Sequence, residues 1–285
     1  MTAPDRSAPV LVTGCSTGIG REVARHLAAK GHLVYATARR LEALGELDAA
    51  GCRTLALDVT DEASMRDAVA AVEAEHGAVG ALVNNAGYSQ SGAIESVSLD
   101  DVRRQFETNV FGLIRMCQLV LPKMRERRTG RIVNMSSMGA NFTFPGAGLY
   151  HATKYAVDSI SDALRFEVKG FGVDVVIIQP GTIRTEFAST ASDGIGAAEP
   201  GPYASFNEAV GKATVEAYEK GPLKLLGGGP DAVAKVVERA LTTASPKARY
   251  RVTPSAHLLI NQRKVMTDGM WDRFVGTQFP RPGEE

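Results

Sequence analysis

Tyr150 and Lys154 stand four residues apart in Leu149-Tyr150-His151-Ala152-Thr153-Lys154, and two serines, Ser136 and Ser137, lie one loop upstream. A free phenol, with a reference pKa of about 10, is a poor proton relay at neutral pH. On a helix, positions i and i+4 share one face, so an ammonium can be held close to the phenol and favour its ionised form. The set is therefore competent for proton transfer, although the same spacing also describes an ordinary solvated helix face.

Such chemistry needs elements that hold a reaction partner in place, and the N-terminus supplies a candidate. Val10-Leu11-Val12 runs into Thr13-Gly14-Cys15-Ser16-Thr17-Gly18-Ile19-Gly20 and then into Arg21-Glu22-Val23-Ala24-Arg25-His26-Leu27, which reads as strand, glycine turn, helix. Glycines at 14, 18 and 20 remove Cβ atoms where a pyrophosphate would approach the backbone, and the helix N-terminus offers free N–H groups and positive dipole. Nucleotide binding is the expectation. Cys15 is expected to pack beneath the turn as a small side chain.

Together these segments resemble the short-chain dehydrogenase/reductase family, in its branch of about 250 residues. The likeness runs strongly over about residues 8–185. The family's TGxxxGxG turn matches Thr13 to Gly20, its adenine-side aspartate matches Asp58 (followed by Val59), and its NNAG segment matches Asn84-Asn85-Ala86-Gly87. Its helical asparagine matches Asn109 in Thr108-Asn109-Val110-Phe111-Gly112, and Pro180-Gly181-Thr182-Ile183-Arg184-Thr185 resembles the loop that grips the nicotinamide carboxamide. The family's catalytic serine lies thirteen residues before its tyrosine, which selects Ser137 over Ser136.

The resemblance implies a division of labour. Tyr150 is the general acid in reduction, Ser137 hydrogen-bonds the carbonyl oxygen, Lys154 tunes the tyrosine and binds the nicotinamide ribose, and Asn109 holds a water linking the lysine to solvent. Ser16, Thr17, Gly18 and Ile19 in the turn, with Asn85, Ala86, Gly87, Pro180, Gly181, Ile183 and Thr185, are then cofactor contacts. The coenzyme supplies the redox chemistry.

Its identity can be argued from the end of the second strand, Leu33-Val34-Tyr35-Ala36-Thr37-Ala38-Arg39-Arg40. An acidic residue there would accept from a ribose 2′-hydroxyl and repel a 2′-phosphate. Arg39 stands there instead, a guanidinium able to pair with phosphate and stack on adenine, so NADP(H) is favoured over NAD(H).

Composition fits one soluble catalytic domain. The 285 residues are 44% hydrophobic, enough for a single core without disulfide staples. Lys+Arg and Asp+Glu both count 32, which disfavours nucleic acid or an anionic membrane as partner. The basic run Lys123, Arg125, Arg127, Arg128 and Arg131 after the apolar helix Leu113 to Met124 reads as a solvated helix end. Three cysteines (15, 52 and 117) without CxxC spacing read as reduced thiols, and five scattered histidines give no metal motif. With no apolar run long enough to span a bilayer and little room for a leader before the first strand, a cytoplasmic protein is expected.

Strand-helix alternation, with apolar strands near 10–13, 33–37, 54–57, 79–84, 131–135 and 173–179 and a seventh near 248–252, predicts an α/β doubly wound parallel sheet of Rossmann type, a single domain over 1–285. Helices are read over 41–50 and 231–243, the second started by the Gly227-Gly228-Gly229-Pro230 turn. Residues 186–229, with Phe187, Tyr203, Phe206 and Tyr218, resemble a substrate lid, and 253–285 a C-terminal helical extension that covers the cleft or meets a second subunit. Phe142 and Phe144 suggest an apolar pocket for a ring or long alkyl chain. The glycine-turn wording and the long tail resemble the hydroxysteroid and retinol dehydrogenase-like relatives, and family members are commonly homodimers or homotetramers. Hydride transfer between NADP(H) and a carbonyl or secondary alcohol leads the reading. An isomerase or epimerase with internal redox, or a catalytically silent nucleotide-binding sensor, are the alternatives.

Overall fold

A computed structural model describes residues 7–185, 201–219 and 225–283. The chain alternates β1 (Val10–Val12), α1 (Gly18–Ala29), β2 (Val34–Ala38), α2 (Gly45–Ala49), β3 (Arg53–Ala56), α3 (Glu62–His76), β4 (Ala81–Asn84), α4 (Leu99–Phe106), α5 (Gly112–Glu126), β5 (Gly130–Met135), α6 (Gly148–Lys169) and β6 (Val173–Pro180). It continues with α7 (Ala204–Glu219), α8 (Pro230–Thr242), β7 (Arg249–Val252), α9 (Pro254–Val265) and α10 (Asp268–Gly276). All seven strands pair in parallel in the order β3-β2-β1-β4-β5-β6-β7.

This is the doubly wound sheet expected, with each strand end within two residues of its reading. The order reverses between β1 and β4, and a crevice opens there at the carboxyl ends of the strands. Period-two alternation builds a core on each face. Val10 and Val12 join Val23, Leu27, Val233 and Val237 of α1 and α8 on one side. Leu11 joins Met65, Val72, Met116, Val120 and Val157 of α3, α5 and α6 on the other.

Some local readings change. The helix read over 41–50 is a 3-10 turn, Leu41–Leu44, followed by the short α2. Gly228 does more than open α8: its N–H donates to Thr182 O, and its own carbonyl accepts from Arg184 N, so the glycine run pairs with the segment after β6. Arg131 is no surface residue. It is 5% exposed; its Nη1 donates to the carbonyls of Ala240, Leu241 and Thr243 at 2.7–2.8 Å, and its Nη2 meets Asp174 at 2.8 Å. A guanidinium there closes the C-terminus of α8, where orphan carbonyls and negative dipole favour a cation. Arg127 and Arg128 do the same outside, bonding His76 O and Gly170 O at the ends of α3 and α6.

The extension packs against the body of its own chain. Among the described residues, Leu259, Ile260, Trp271 and Val275 of α9 and α10 bury with Phe142, with Phe144 packed against them, and Trp271 Nε1 donates to Thr143 O at 3.1 Å. The tail thus docks on its own chain, behind the segment joining β5 to α6.

Candidate active site

Thr13, the first residue after β1, ties the glycine loop to its neighbour: its Oγ1 accepts from the backbone N–H groups of Asn85 and Ala86 at 3.0 Å. Asn85 Nδ2 returns bonds to the carbonyls of Thr13 and Gly14. The approach is so close that a Cβ on Gly14, which has φ +72°, would sit 2.8 Å from Ala86 Cα. Only glycine meets both demands. Gly18 also has positive φ. Gly20 plays a different part from the one expected: its missing side chain makes room for Gly14 O, 2.2 Å from where a Cβ would lie, and it does not line the cleft. It is a helix-packing glycine. Cys15 is buried and bonds Val12 O, and burial pushes its thiol up to about 12, an inert packing group as expected.

On the far side of the crevice, β5 ends at Met135 and the chain turns through Ser136 and Ser137. Ser137 is half-buried, caps a 3-10 turn at Met138–Ala140 by accepting from Gly139 N at 3.0 Å, and lines the cleft. Helix α6 then carries Tyr150 and Lys154 into the same cleft. The Lys154 ammonium lies 5.7 Å from the centre of the Tyr150 ring, on its face, and donates to Met135 O at 2.9 Å. Lys154 is 6% exposed; burial pulls it down to about 8, with Asp158 opposing.

Asn109 sits behind this pair. It lies in a π turn, Glu107–Phe111, between α4 and α5, a distortion that recurs at functional sites. Its side chain is fully engaged: Oδ1 accepts from Tyr88 N at 3.0 Å, and Nδ2 donates to Tyr88 O at 2.9 Å and to Thr153 Oγ1 at 3.1 Å. Thr153 in turn donates to Tyr150 O at 2.7 Å. Asn109 does not line the cleft, and its side chain braces the turn that carries Tyr150. Gly87 lets Asn109 and Lys154 approach: a Cβ there would lie 3.1 Å from Asn109 Oδ1 and 3.7 Å from Lys154 Nζ.

The cleft these elements enclose has a volume of about 830 Å³, towards the upper end of ligand pockets. Its walls gather nearly every expected contact: Gly14, Ser16, Thr17, Gly18 and Ile19; Arg39; Asp58 and Val59; Asn85, Ala86 and Gly87; Pro180, Gly181, Ile183 and Thr185. Helix α1 presents its first turn there with no acidic residue to repel a phosphate. Arg39 is exposed and, among the described residues, forms no ion pair. The cradle fits a dinucleotide.

Several lining residues were missed. Tyr88, Gln90, Arg104, Glu107 and Thr108 come to the cleft from the segment after β4 and from α4 with its π turn, and only Thr108, next to Asn109, had a sequence signal. Ser255 was missed as well: its hydroxyl accepts from Thr182 N at 3.1 Å and contacts Thr253 Oγ1 at 2.8 Å, holding the loop after β6. Thr253 has φ +82°, a strained value for a β-branched residue.

Four of the aromatic residues read as pocket or lid pack away from the cleft. Phe142 is 1% exposed and packs with Phe144 and Trp271; Phe206 is buried beside Ala93 and Val210; Tyr203 bonds Glu95. None lines the cleft. Phe187 and the Tyr218 side chain lie outside the described residues. His151 is the packing residue expected, 6% exposed, with Nδ1 donating to Gly139 O at 2.7 Å. Among the described residues no His, Cys, Asp and Glu group could hold a metal, and no helix is long and apolar enough to cross a membrane.

Comparison with known proteins agrees with the fold. The family model described as short chain dehydrogenase matches residues 8–196. A 3-ketodihydrosphingosine reductase of Bacteroides thetaiotaomicron is 41% identical over 62% of this chain and 65% of its own, so the chain spans just under two thirds of that relative. An NADPH-dependent 3-dehydrocapnine reductase of Ornithobacterium rhinotracheale is 32% identical over 92% and 94% of the two chains. Among solved structures, a short-chain dehydrogenase from Streptomyces avermitilis superposes with a TM-score of 0.78 at 35% identity, covering 94% of each chain. Other neighbours carry either coenzyme: a serine dehydrogenase with NADP+ (TM-score 0.74, 30% identity, 86% and 94% coverage) and a Burkholderia phymatum protein with NAD (0.79, 24%, 92% and 94%). Sheet order, glycine cradle, the Tyr150 and Lys154 pair and a family match across most of the chain lead to one conclusion: this oxidoreductase belongs to the short-chain dehydrogenase/reductase family.

Proposed function

We propose that the protein is an NADP(H)-dependent reductase of ketones, with Ser137, Tyr150 and Lys154 as its catalytic groups. The observation that carries the reading is that these three side chains line one cleft with the glycine cradle and Arg39. When bound, NADPH supplies the hydride. The chain's residues do the rest. Ser137 donates to the carbonyl oxygen and fixes its position, and Tyr150 gives the proton as negative charge builds there. Lys154, fixed over the tyrosine ring by Met135 O, balances that charge and reaches the nicotinamide ribose. Arg39 pairs with the 2′-phosphate, and Pro180 to Thr185, braced by Ser255, orients the nicotinamide. Two relatives named as reductases of 3-keto compounds, one of them NADPH-dependent, support reduction as the direction.

The test is a screen following NADPH absorbance with ketones, aldehydes, steroids and a long-chain 3-ketone. Rapid loss of NADPH with a ketone is the expected result. Tight nucleotide retention without net redox would instead favour an isomerase with internal redox, and binding without either a silent sensor. Subunit association as a homodimer or homotetramer and a cytoplasmic location remain part of the proposal.

A further inference from the structure

We propose that Asp158 is a positioning residue for this site, a buried carboxylate one helical turn beyond Lys154 that sustains the lysine's charge and fixes its helix to the strand end bearing the Pro180–Gly181 loop. The proposal rests on the reading of Lys154 as part of a carbonyl-reduction site.

Asp158 follows Lys154 by four residues on α6, so the two share a face. It is 8% exposed, and ionised carboxylates are rarely so buried without partners. Its Oδ2 accepts from Gln179 Nε2 at 2.7 Å and from Arg249 Nε at 3.4 Å. Gln179, fully buried, is the β6 residue just before Pro180 and Gly181; Arg249 opens β7 and also binds Asp162. Lys154 meanwhile holds Met135 O at the end of β5. Two successive turns of α6 are thus pinned to two adjacent strand ends, those that lead into Ser137 and into the nicotinamide loop.

The charges around Asp158 define its effect. Lys154 and Asp162 share its helix with Tyr155, Arg249 faces it from β7, and Arg165 and Arg263 act on Asp162 and Tyr155 farther out. Burial pushes the Asp158 carboxyl up, with Ser136, Arg249 and Gln179 pulling it part of the way back. Above that value it is an anion one helical turn from a lysine that burial has drawn down to about 8, and it acts on that lysine by charge across the turn. Without the anion, Lys154 would lose its proton at lower pH still.

The test is the pH profile of kcat for ketone reduction by the full-length enzyme at saturating NADPH. Reduction needs charged Lys154, so activity falls as pH rises through the lysine's titration. In Asp158→Asn this alkaline limb moves to lower pH by about one unit, and Asp158→Glu returns it toward the wild-type position. In Arg249→Gln, a change at a partly exposed strand edge, the carboxylate keeps its charge while a cation is lost, and the limb moves to higher pH. That variant decides the matter should Asp158→Asn not fold. A profile lowered in height but not displaced in Asp158→Asn, or a limb unmoved or lowered in Arg249→Gln, overturns the proposal and leaves Asp158 a structural pin. A wild type that reduces no carbonyl overturns the underlying reading and the proposal with it.

Discussion

Lys154 occupies a position that costs the folded protein stability, because its ammonium is buried and its pKa drawn down from 10.5 to about 8. The sign follows from proton binding. Between about pH 8 and 10.5 the unfolded chain holds more protons than the folded one, so the penalty is full below pH 8 and is relieved as pH rises through that window. Lys154→Met is therefore expected to abolish turnover yet raise the melting temperature of the coenzyme-free protein at pH 7, with the difference from wild type shrinking towards pH 10. Arg39 lines the same cleft, exposed directly after β2. Arg39→Asp should swing the ratio of kcat/KM values from NADPH towards NADH by about tenfold or more, the scale of one charge-assisted contact. An unchanged ratio would show that the phosphate is read elsewhere. The places of both residues in the cleft were legible in the sequence because each follows from local spacing. The bracing bonds of the Asn109 side chain were not legible, since only the fold brings Tyr88 and Thr153 to its amide.

At the level of elements, strand ends and the Gly14 turn were read correctly because backbone demands leave little choice of residue. Gly112, to which the sequence assigned no role, makes a close approach as well: a Cβ there would meet Val59 O, so the N-terminus of α5 presses on the loop that carries Asp58 and Val59. Arg131 was misread because its sequence neighbours are basic and exposed, while the three carbonyls it binds lie more than a hundred residues away. Arg131→Met should cost about 3 kcal/mol, at the low end for breaking a buried pair because Lys169 still reaches Asp174. The midpoint of urea unfolding measures it. Phe142 and Phe144 were misplaced for the same reason, as nothing local distinguishes a phenylalanine facing substrate from one facing Trp271.

Across the whole molecule, the parallel sheet was written plainly in its apolar runs, since both faces are covered by helices. Where the tail goes was not, because α9 and α10 carry mixed sequences whose apolar residues find partners only in the segment from Phe142 to Phe144. That docking connects the end of the chain to the turn that presents Ser137. Trp271→Ala is expected to destabilise the fold by about 3–5 kcal/mol and to lower kcat more than it weakens NADPH binding; equal loss of both would detach the tail from the catalytic turn. Seven strands, two cores and the extension serve one end, which is to hold a phenol, an ammonium and a hydroxyl in a cleft beside a nucleotide cradle. The most direct measurement compares wild type with Tyr150→Phe, reading ketone-dependent NADPH oxidation and NADPH affinity together. The variant should bind the coenzyme nearly as well while losing about 100-fold or more in kcat; a variant that turns over as fast as the wild type would contradict Tyr150 as the proton donor.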